Sequence, residues 1–255
     1  MKNNPITGAS YLFKGFKLIR QPGIRQYVVV PLIINTLIFA TGFILMFGWL
    51  EGLIAQLMTE LPGWLQWLSW LVWILVYAAS LVLLYFTFTI VANFISAPFN
   101  GILAEAVEEH ITGEKLLDDS PWHTVITQAP AAIKEELHKL MYSLTRSLPF
   151  LFFFFIPGIN FIASALWMVF GAWMLAIQYA DYPLSNHQVP FKEQRGKLKQ
   201  KRLLVLGFGG AVMAGTMIPF VNFIILPCAV AGATVMYLEH FKITNTEKQE
   251  KLENP

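Results

Sequence analysis

Two six-residue stretches, IPGINF at Ile156–Phe161 and IPFVNF at Ile218–Phe223, decide the fold of this chain. Each interrupts a long apolar run, the first over Pro149–Ala180 and the second over Leu203–Leu238. A proline removes a backbone N–H and bends or ends a helix, and the asparagine offers an amide to the backbone groups left without partners. We therefore predict that each run folds as two helices joined by a turn, which is a helical hairpin.

The composition places these runs in a membrane. Of the 255 residues, 56% are hydrophobic and only 13% are charged, which is too apolar for a soluble domain. We predict an all-α integral membrane protein. The net charge of +2 is small, so we expect no nucleic-acid partner. The sequence contains no zinc-ligand spacing, phosphate loop or nucleophile motif, and we therefore expect neither an enzyme nor a bound metal or cofactor.

Two uncharged segments, 27–50 and 67–95, are each long enough to cross the hydrocarbon core. The loop between them carries Glu51 and Glu60 but no lysine or arginine. Because basic residues favour the cytoplasmic side, we predict that this loop is external and that both termini are cytoplasmic. Residues 98–148 follow as cytoplasmic helices.

The two apolar runs are short for hairpins that would cross the bilayer twice. Pro149–Ala180 has 32 residues and Leu203–Leu238 has 36, or about 48 and about 54 Å of helix, whereas two crossings need about 60 Å. The first is too short to cross twice, and for the second a double crossing stays open. Basic residues precede and follow both hairpins, so we predict that each enters from the cytoplasmic face and returns to it. These residues are Lys134, Lys139, Arg146, Lys192, Arg195, Lys197, Lys199, Lys201, Arg202, Lys242, Lys248 and Lys251.

The N-terminal segment 1–26 is amphipathic. Apolar residues recur there at helical spacing, with basic residues toward the other face. This pattern is typical of a helix lying in the cytoplasmic headgroup layer, and equally of an ordinary packed surface helix. The apolar residues are Leu12, Phe13, Phe16 and Ile19, and the basic ones are Lys14, Lys17 and Arg20.

A candidate anion site lies just before the first spanning helix, at Gly23, Ile24, Arg25 and Gln26. The start of a helix presents unpaired N–H groups and the positive end of its dipole, and glycine lets an anion approach the backbone. The guanidinium of Arg25 matches two oxygens of a tetrahedral oxyanion, and Arg20 supplies a second charge if the chain folds over. The alternative is that both arginines only set the topology.

A second polar group lies at the end of the second span. Glu105 and Glu109 stand one helical turn apart, close to Asn100. One interpretation is the solvated face of a cytoplasmic helix, and the other is the lining of a pore vestibule.

Several phrases, taken in order, resemble the CysZ family of bacterial sulfate permeases over about Tyr11–Tyr237. They are QPGIR at Gln21–Arg25, SAPFNGILAE at Ser96–Glu105, IPGI at Ile156–Ile159, WMLAIQYADYP at Trp173–Pro183 and VPFK at Val189–Lys192. The resemblance implies a multi-pass inner-membrane protein that admits sulfate for assimilation into cysteine. It also implies two long spanning helices and two partly penetrating hairpins in a lipid bilayer, working as an oligomer.

The same resemblance places the family's glycine-hydrophobe-arginine anion site on Gly23, Ile24 and Arg25. Where relatives carry a second basic residue after the arginine, this chain has Gln26, and Arg20 is the candidate substitute. If the hairpins do not cross the bilayer, one protomer has little with which to wall a pore, so we expect a homo-oligomer. The rival hypothesis is a non-transporting, membrane-shaping or scaffolding protein whose hairpins crowd one leaflet.

Overall fold

The computed structural model describes most of the chain. The described residues are 3–60, 62–114, 139, 141–150, 153, 156, 158, 160–218 and 221–242. Pro157 and Pro219 lie outside them, as does most of the expected cytoplasmic helical region before residue 139.

The described residues form helices and contain no strand, which confirms the all-α fold class. The helices are α1 (Pro5–Leu18), α2 (Gln26–Glu60), α3 (Ser69–Thr112), α4 (141–150), α5 (Asn160–Asn186), α6 (Phe191–Gln200), α7 (Arg202–Thr216) and α8 (Asn222–His240), with a 3₁₀ turn at Gly63–Leu68 between α2 and α3. Segments of α2, α3, α5 and α8 are long and apolar enough to cross a membrane.

The chain divides into two compact units, Val28–Phe99 and the remainder. The unit Val28–Phe99 is a pair of apolar helices, α2 and α3. The ring of Phe39 meets that of Phe88 edge to face at 4.6 Å, and Asn35 Nδ2 donates to Ser96 Oγ at 3.0 Å. Most of the large apolar side chains on the two helices are exposed, as suits surfaces that face lipid.

The other unit is built around α1. Asn4 caps this helix, because its side-chain oxygen accepts from the N–H of Ile6 at 2.9 Å, and Pro5 occupies the first turn, where no N–H is needed. A methyl group on Gly8 would overlap the carbonyl oxygen of Leu204 in α7, and one on Gly15 would overlap the carbonyl of Cys228 in α8. The backbone of α1 therefore lies directly against the backbones of α7 and α8.

The buried face of α1 differs from the apolar face expected from its sequence. Leu12 and Ile19 are buried, but Phe13 and Phe16 are exposed, and the buried face is completed by Tyr11 and Gly15. Close backbone contact requires glycine at the interface, and this requirement outweighs the size of the apolar side chains in choosing the face.

The long helices extend beyond the expected spans. α2 continues ten residues past Leu50, and α3 continues past residue 95 to Thr112, through the phrase that contains Asn100 and Gly101. Asn186 Nδ2 donates to the Gly101 carbonyl at 3.0 Å, so this extension is fastened to the end of α5.

In the first hairpin, α4 is followed by a long second arm. α5 has 27 residues, or about 40 Å, which is enough to cross the core once. Gly158 between them has φ +85°, a conformation that favours glycine. The depth to which the hairpins enter the bilayer stays a prediction.

Two neighbouring glycines of α7 test the importance of backbone contact. A methyl group at Gly209 would overlap the carbonyl of Ala172 in α5, whereas one at Gly210 would meet no atom within 4 Å. We expect Gly209→Ala to cost about 1–3 kcal/mol of stability because it overpacks the interface. Gly210→Ala should stabilise by up to about 1 kcal/mol, because alanine is the better helix former.

The measurement is thermal unfolding of each variant in detergent, followed by tryptophan fluorescence. If Gly209→Ala unfolds at the same temperature as Gly210→Ala, the described contact between α5 and α7 is wrong.

Candidate anion site

A tight turn connects α1 to α2. The N–H of Gln21 donates to the Leu18 carbonyl at 2.9 Å, and the N–H groups of Ile24 and Arg25 both donate to the Gln21 carbonyl, at 3.2 and 3.1 Å. Gly23, at φ +92°, has the left-handed backbone that such a turn requires. The chain thus folds over between Arg20 and Arg25.

The turn has one buried residue and an exposed rim. Ile24 is only 2% exposed and anchors the turn, whereas Gly23, Arg25 and Gln26 are exposed. Apart from its two chain neighbours, no heavy atom of the described residues lies within 4 Å of the position that a Cβ would take on Gly23. An anion of small radius can therefore reach the backbone here without displacing protein atoms.

Only some of the backbone N–H groups in this turn are unpaired, whereas the sequence predicted unpaired N–H groups at the helix start. The N–H groups of Ile24 and Arg25 donate to the Gln21 carbonyl, and the N–H groups of Gly23 and Gln26 have no acceptor among the residues that the structure describes. α2 carries no acidic side chain in its first turn, so no carboxylate of that turn neutralises the positive end of its dipole. Two backbone donors and the Arg25 guanidinium are therefore available at one exposed turn.

Arg20 is occupied elsewhere. Its guanidinium carbon lies 4.3 Å from the centre of the Phe16 ring, one helical turn back in α1. A cation on an exposed aromatic ring gains about 0.5–1 kcal/mol, so Arg20 would give up that contact in order to join Arg25. The turn lies between Arg20 and Arg25, but the Arg20 guanidinium contacts the Phe16 ring.

The second polar group is part of the packing between α3 and α5. Asn100 Nδ2 donates to the Tyr182 hydroxyl at 3.1 Å. Glu105 and Glu109 are half-buried on α3, and Glu109 Oε2 is buried without a hydrogen-bond partner in the described part of the chain. One carboxylate oxygen of Glu109 is shielded although the residue as a whole is half-buried, so the solvated helix face and the vestibule lining both stay predictions.

A buried carboxylate beside this group was not among the predicted site residues. Glu108 is 1% exposed, with Oε2 2.8 Å from His187 Nε2 and Oε1 accepting from Lys242 Nζ at 3.0 Å. It ties α3 to the ends of α5 and α8. A signal was present, since Glu108 directly follows Val107 and lies four residues after Ala104, and both are buried.

The pKa of Glu108 reflects two opposing effects. Burial raises the pKa of the carboxyl group, but the hydrogen bonds and positive charges of His187 and Lys242 outweigh burial and lower it below its ordinary value. Glu108 is therefore a structural anion already supplied with cations, and it does not compete for Arg25.

None of the described histidine, cysteine, aspartate and glutamate side chains form a group of three that could hold a metal ion. The fold and the exposed arginine turn together define an integral membrane protein with a candidate anion site at the start of a long apolar helix.

The chain belongs to the family described as sulfate transporter CysZ/Etoposide-induced protein 2.4, whose model matches residues 11–227. It is similar to the sulfate transporter CysZ of Pectobacterium atrosepticum, with 42% identity over 237 residues that cover 92% of this chain and 86% of that protein. The sulfate transporter CysZ of Pseudomonas aeruginosa strain LESB58 is also 42% identical over 237 residues, which cover 91% of this chain and 95% of the relative. The family resemblance seen in the sequence is thereby confirmed.

Replacement of Glu108 tests the buried network. We expect Glu108→Gln to lower stability by about 1–3 kcal/mol at neutral pH, because two charged partners lose their hydrogen-bonded acceptor. Since the folded-state pKa of Glu108 lies below the unfolded value of about 4.3, its contribution is present above that pH and disappears as the pH falls through the folded value. Thermal unfolding between pH 7 and 3 should show wild type and variant converging on acidification.

Glu114→Gln is the matched control. Its side chain is 69% exposed and lies 3.7 Å from Lys242, so the change should be within about 0.5 kcal/mol. An equal loss of stability in both variants would mean that Glu108 has no special role.

Proposed function

We propose that this protein carries sulfate across the bacterial inner membrane as a channel-like permease and supplies sulfate assimilation and cysteine biosynthesis. The observation that carries the proposal is family membership together with relatives named sulfate transporters over nearly the whole chain. The matched region, 11–227, includes the turn at Gly23–Gln26 and both hairpin turns.

Sulfate binding is assigned to the turn between α1 and α2. Sulfate is a tetrahedral dianion, and the forked guanidinium of Arg25 offers donors at the spacing of two of its oxygens. The unengaged N–H groups of Gly23 and Gln26 complete a set of donors around the open space beside Gly23. Ile24 holds the turn in place from its buried side. Arg20 contributes a second positive charge to sulfate binding only when its guanidinium leaves the Phe16 ring.

Sulfate entry needs a driving force. Inward movement of a dianion against an inside-negative potential costs about 4.6 kcal/mol per 100 mV. Residues 27–50 and 67–95 contain no charged side chain that could relay protons. Consumption of sulfate in the cytoplasm, rather than a proton relay in these helices, is therefore the proposed driving force.

The proposed permease has cytoplasmic termini and works as a homo-oligomer. The termini are assigned to the cytoplasm because the loop between α2 and α3 lacks basic residues, whereas basic residues flank both hairpins. A homo-oligomer supplies the remaining wall of the pore. Asn100, Glu105 and Glu109 are assigned to a vestibule at the end of α3.

Arg25→Ala tests the binding site. Loss of a charged, bidentate donor is worth about 1.5–3 kcal/mol, so sulfate affinity should fall roughly tenfold to a hundredfold. Binding of labelled sulfate to the purified protein and uptake into liposomes should both decrease.

Arg202→Ala is the matched control, because Arg202 is also an exposed arginine at the start of a helix. Its sulfate affinity should stay within twofold of wild type. Equal flux through wild type and Arg25→Ala would remove the site assignment, whereas absence of flux through wild type would favour the scaffold. Competition by sulfite, thiosulfate and phosphate in the same assay defines the selectivity.

A further inference from the structure

Two arginines from different helices share one aromatic ring. The guanidinium carbon of Arg195 in α6 lies 4.4 Å from the centre of the Tyr142 ring in α4, and that of Arg146 lies 5.9 Å from it. The ring of Phe191 meets Tyr142 edge to face at 5.8 Å and lies 5.1 Å from the Arg195 guanidinium. Both guanidinium groups thus contact the same ring.

This positive charge is not neutralised by the carboxylates described nearby. Glu193 of α6 is paired with Lys197 at 3.4 Å, and Asp181 of α5 is paired with Lys139 at 2.5 Å. In the described part of the chain, Arg146 and Arg195 form no salt bridge, and Arg195 Nε has no hydrogen-bond acceptor. Two guanidinium groups on one ring raise the local positive potential, and an anion that contacts both of them lowers it.

The cation pair lies within a wider basic surface on α6. Lys192 and Lys199 are exposed and seven residues apart, so they share one face of the helix with Arg195 between them. Gly196 on the same side of the helix has no atom within 4 Å of its Cβ position, so the space between the two lysines is open.

An exposed apolar stripe runs along α4 next to Arg146. Met141, Leu144 and Leu148, at helical spacing, are 52%, 50% and 49% exposed. A free inorganic anion would leave this stripe uncovered, whereas the acyl chain of a lipid would cover it. α4 leads into the first apolar hairpin, and α6 connects the apolar helices α5 and α7. Because basic residues flank both hairpins, we expect both elements to lie at the headgroup layer.

We propose that Arg146 and Arg195 bind the phosphate of an anionic phospholipid headgroup, with Lys192 and Lys199 as its outer cations and the α4 stripe as the seat of an acyl chain. One guanidinium group can donate two parallel hydrogen bonds to two oxygens of a phosphate. Basic pockets between membrane helices are suited to anionic headgroups. This site is distinct from the arginine turn at Gly23–Gln26 and does not rest on sulfate transport.

The first test uses the wild-type full-length protein in detergent. Thermal unfolding is measured with increasing dioctanoyl-phosphatidylglycerol, dioctanoyl-phosphatidylcholine or inorganic phosphate. We expect phosphatidylglycerol to raise the midpoint at concentrations at least tenfold below those at which the other two act. Equal effects of the two lipids, or of phosphatidylglycerol and inorganic phosphate, would overturn the proposal.

The second test compares two double variants that each remove two positive charges. Arg146→Gln/Arg195→Gln should weaken the phosphatidylglycerol response tenfold or more, because each lost charge-assisted contact is worth about a factor of ten. Lys17→Gln/Arg202→Gln removes two exposed charges elsewhere and should stay within twofold of wild type. Equal weakening in both would indicate nonspecific charge attraction and contradict the site.

If the first double variant does not fold, Arg146→Lys/Arg195→Lys replaces it. This variant keeps both charges but loses the planar fork, so its response should weaken several-fold. An unchanged response in the lysine variant would also contradict the site.

Discussion

Direct contact between helix backbones is the constraint on which the rest of the larger unit depends. At Gly8, Gly15, Gly207 and Gly232 the backbone of α1 lies so close to α7 and α8 that no side chain fits between them. In lipid, where burial of apolar surface gains little, such close contact is a main source of helix association. Because it fixes α1 along its length, it also fixes the start of the turn that follows, in which Ile24 is buried.

Polar contacts near the helix ends add to this attachment. The hydroxyl of Tyr11 donates to Glu239 at 2.6 Å, and Lys14 pairs with the same carboxylate at 2.6 Å, so α1 is joined to the end of α8. Burial, followed by the hydrogen bond to Glu239 and its charge, raises the pKa of Tyr11, which therefore stays a hydrogen-bond donor. In the same way, Glu108 joins α3 to the ends of α5 and α8 through His187 and Lys242. These contacts join the helices of the larger unit, whereas Arg25 is exposed.

The sequence was sufficient for the fold class and the family but not for the contacts. Apolar length and the prolines predicted membrane helices and hairpins, since both act through local backbone chemistry. The buried face of α1 was missed because glycines, which carry no hydrophobic signal, select it through partners about 200 residues away. Glu108 was missed for a related reason, since its partners His187 and Lys242 are distant in sequence. The arginine turn could be proposed from the sequence because its glycine, arginine and following helix are contiguous, and its role in anion binding stays a prediction.

We propose that sulfate crosses as an uncoupled dianion. Recording of the wild-type protein in a planar bilayer under a tenfold sulfate gradient measures this property. The current carried by a divalent anion should then reverse at about 30 mV, since about 4.6 kcal/mol per 100 mV is set against about 1.4 kcal/mol per tenfold gradient. Uncoupled transport predicts this value and no change when a pH gradient is added. A reversal potential that follows the pH gradient, or no sulfate current at all, would contradict it.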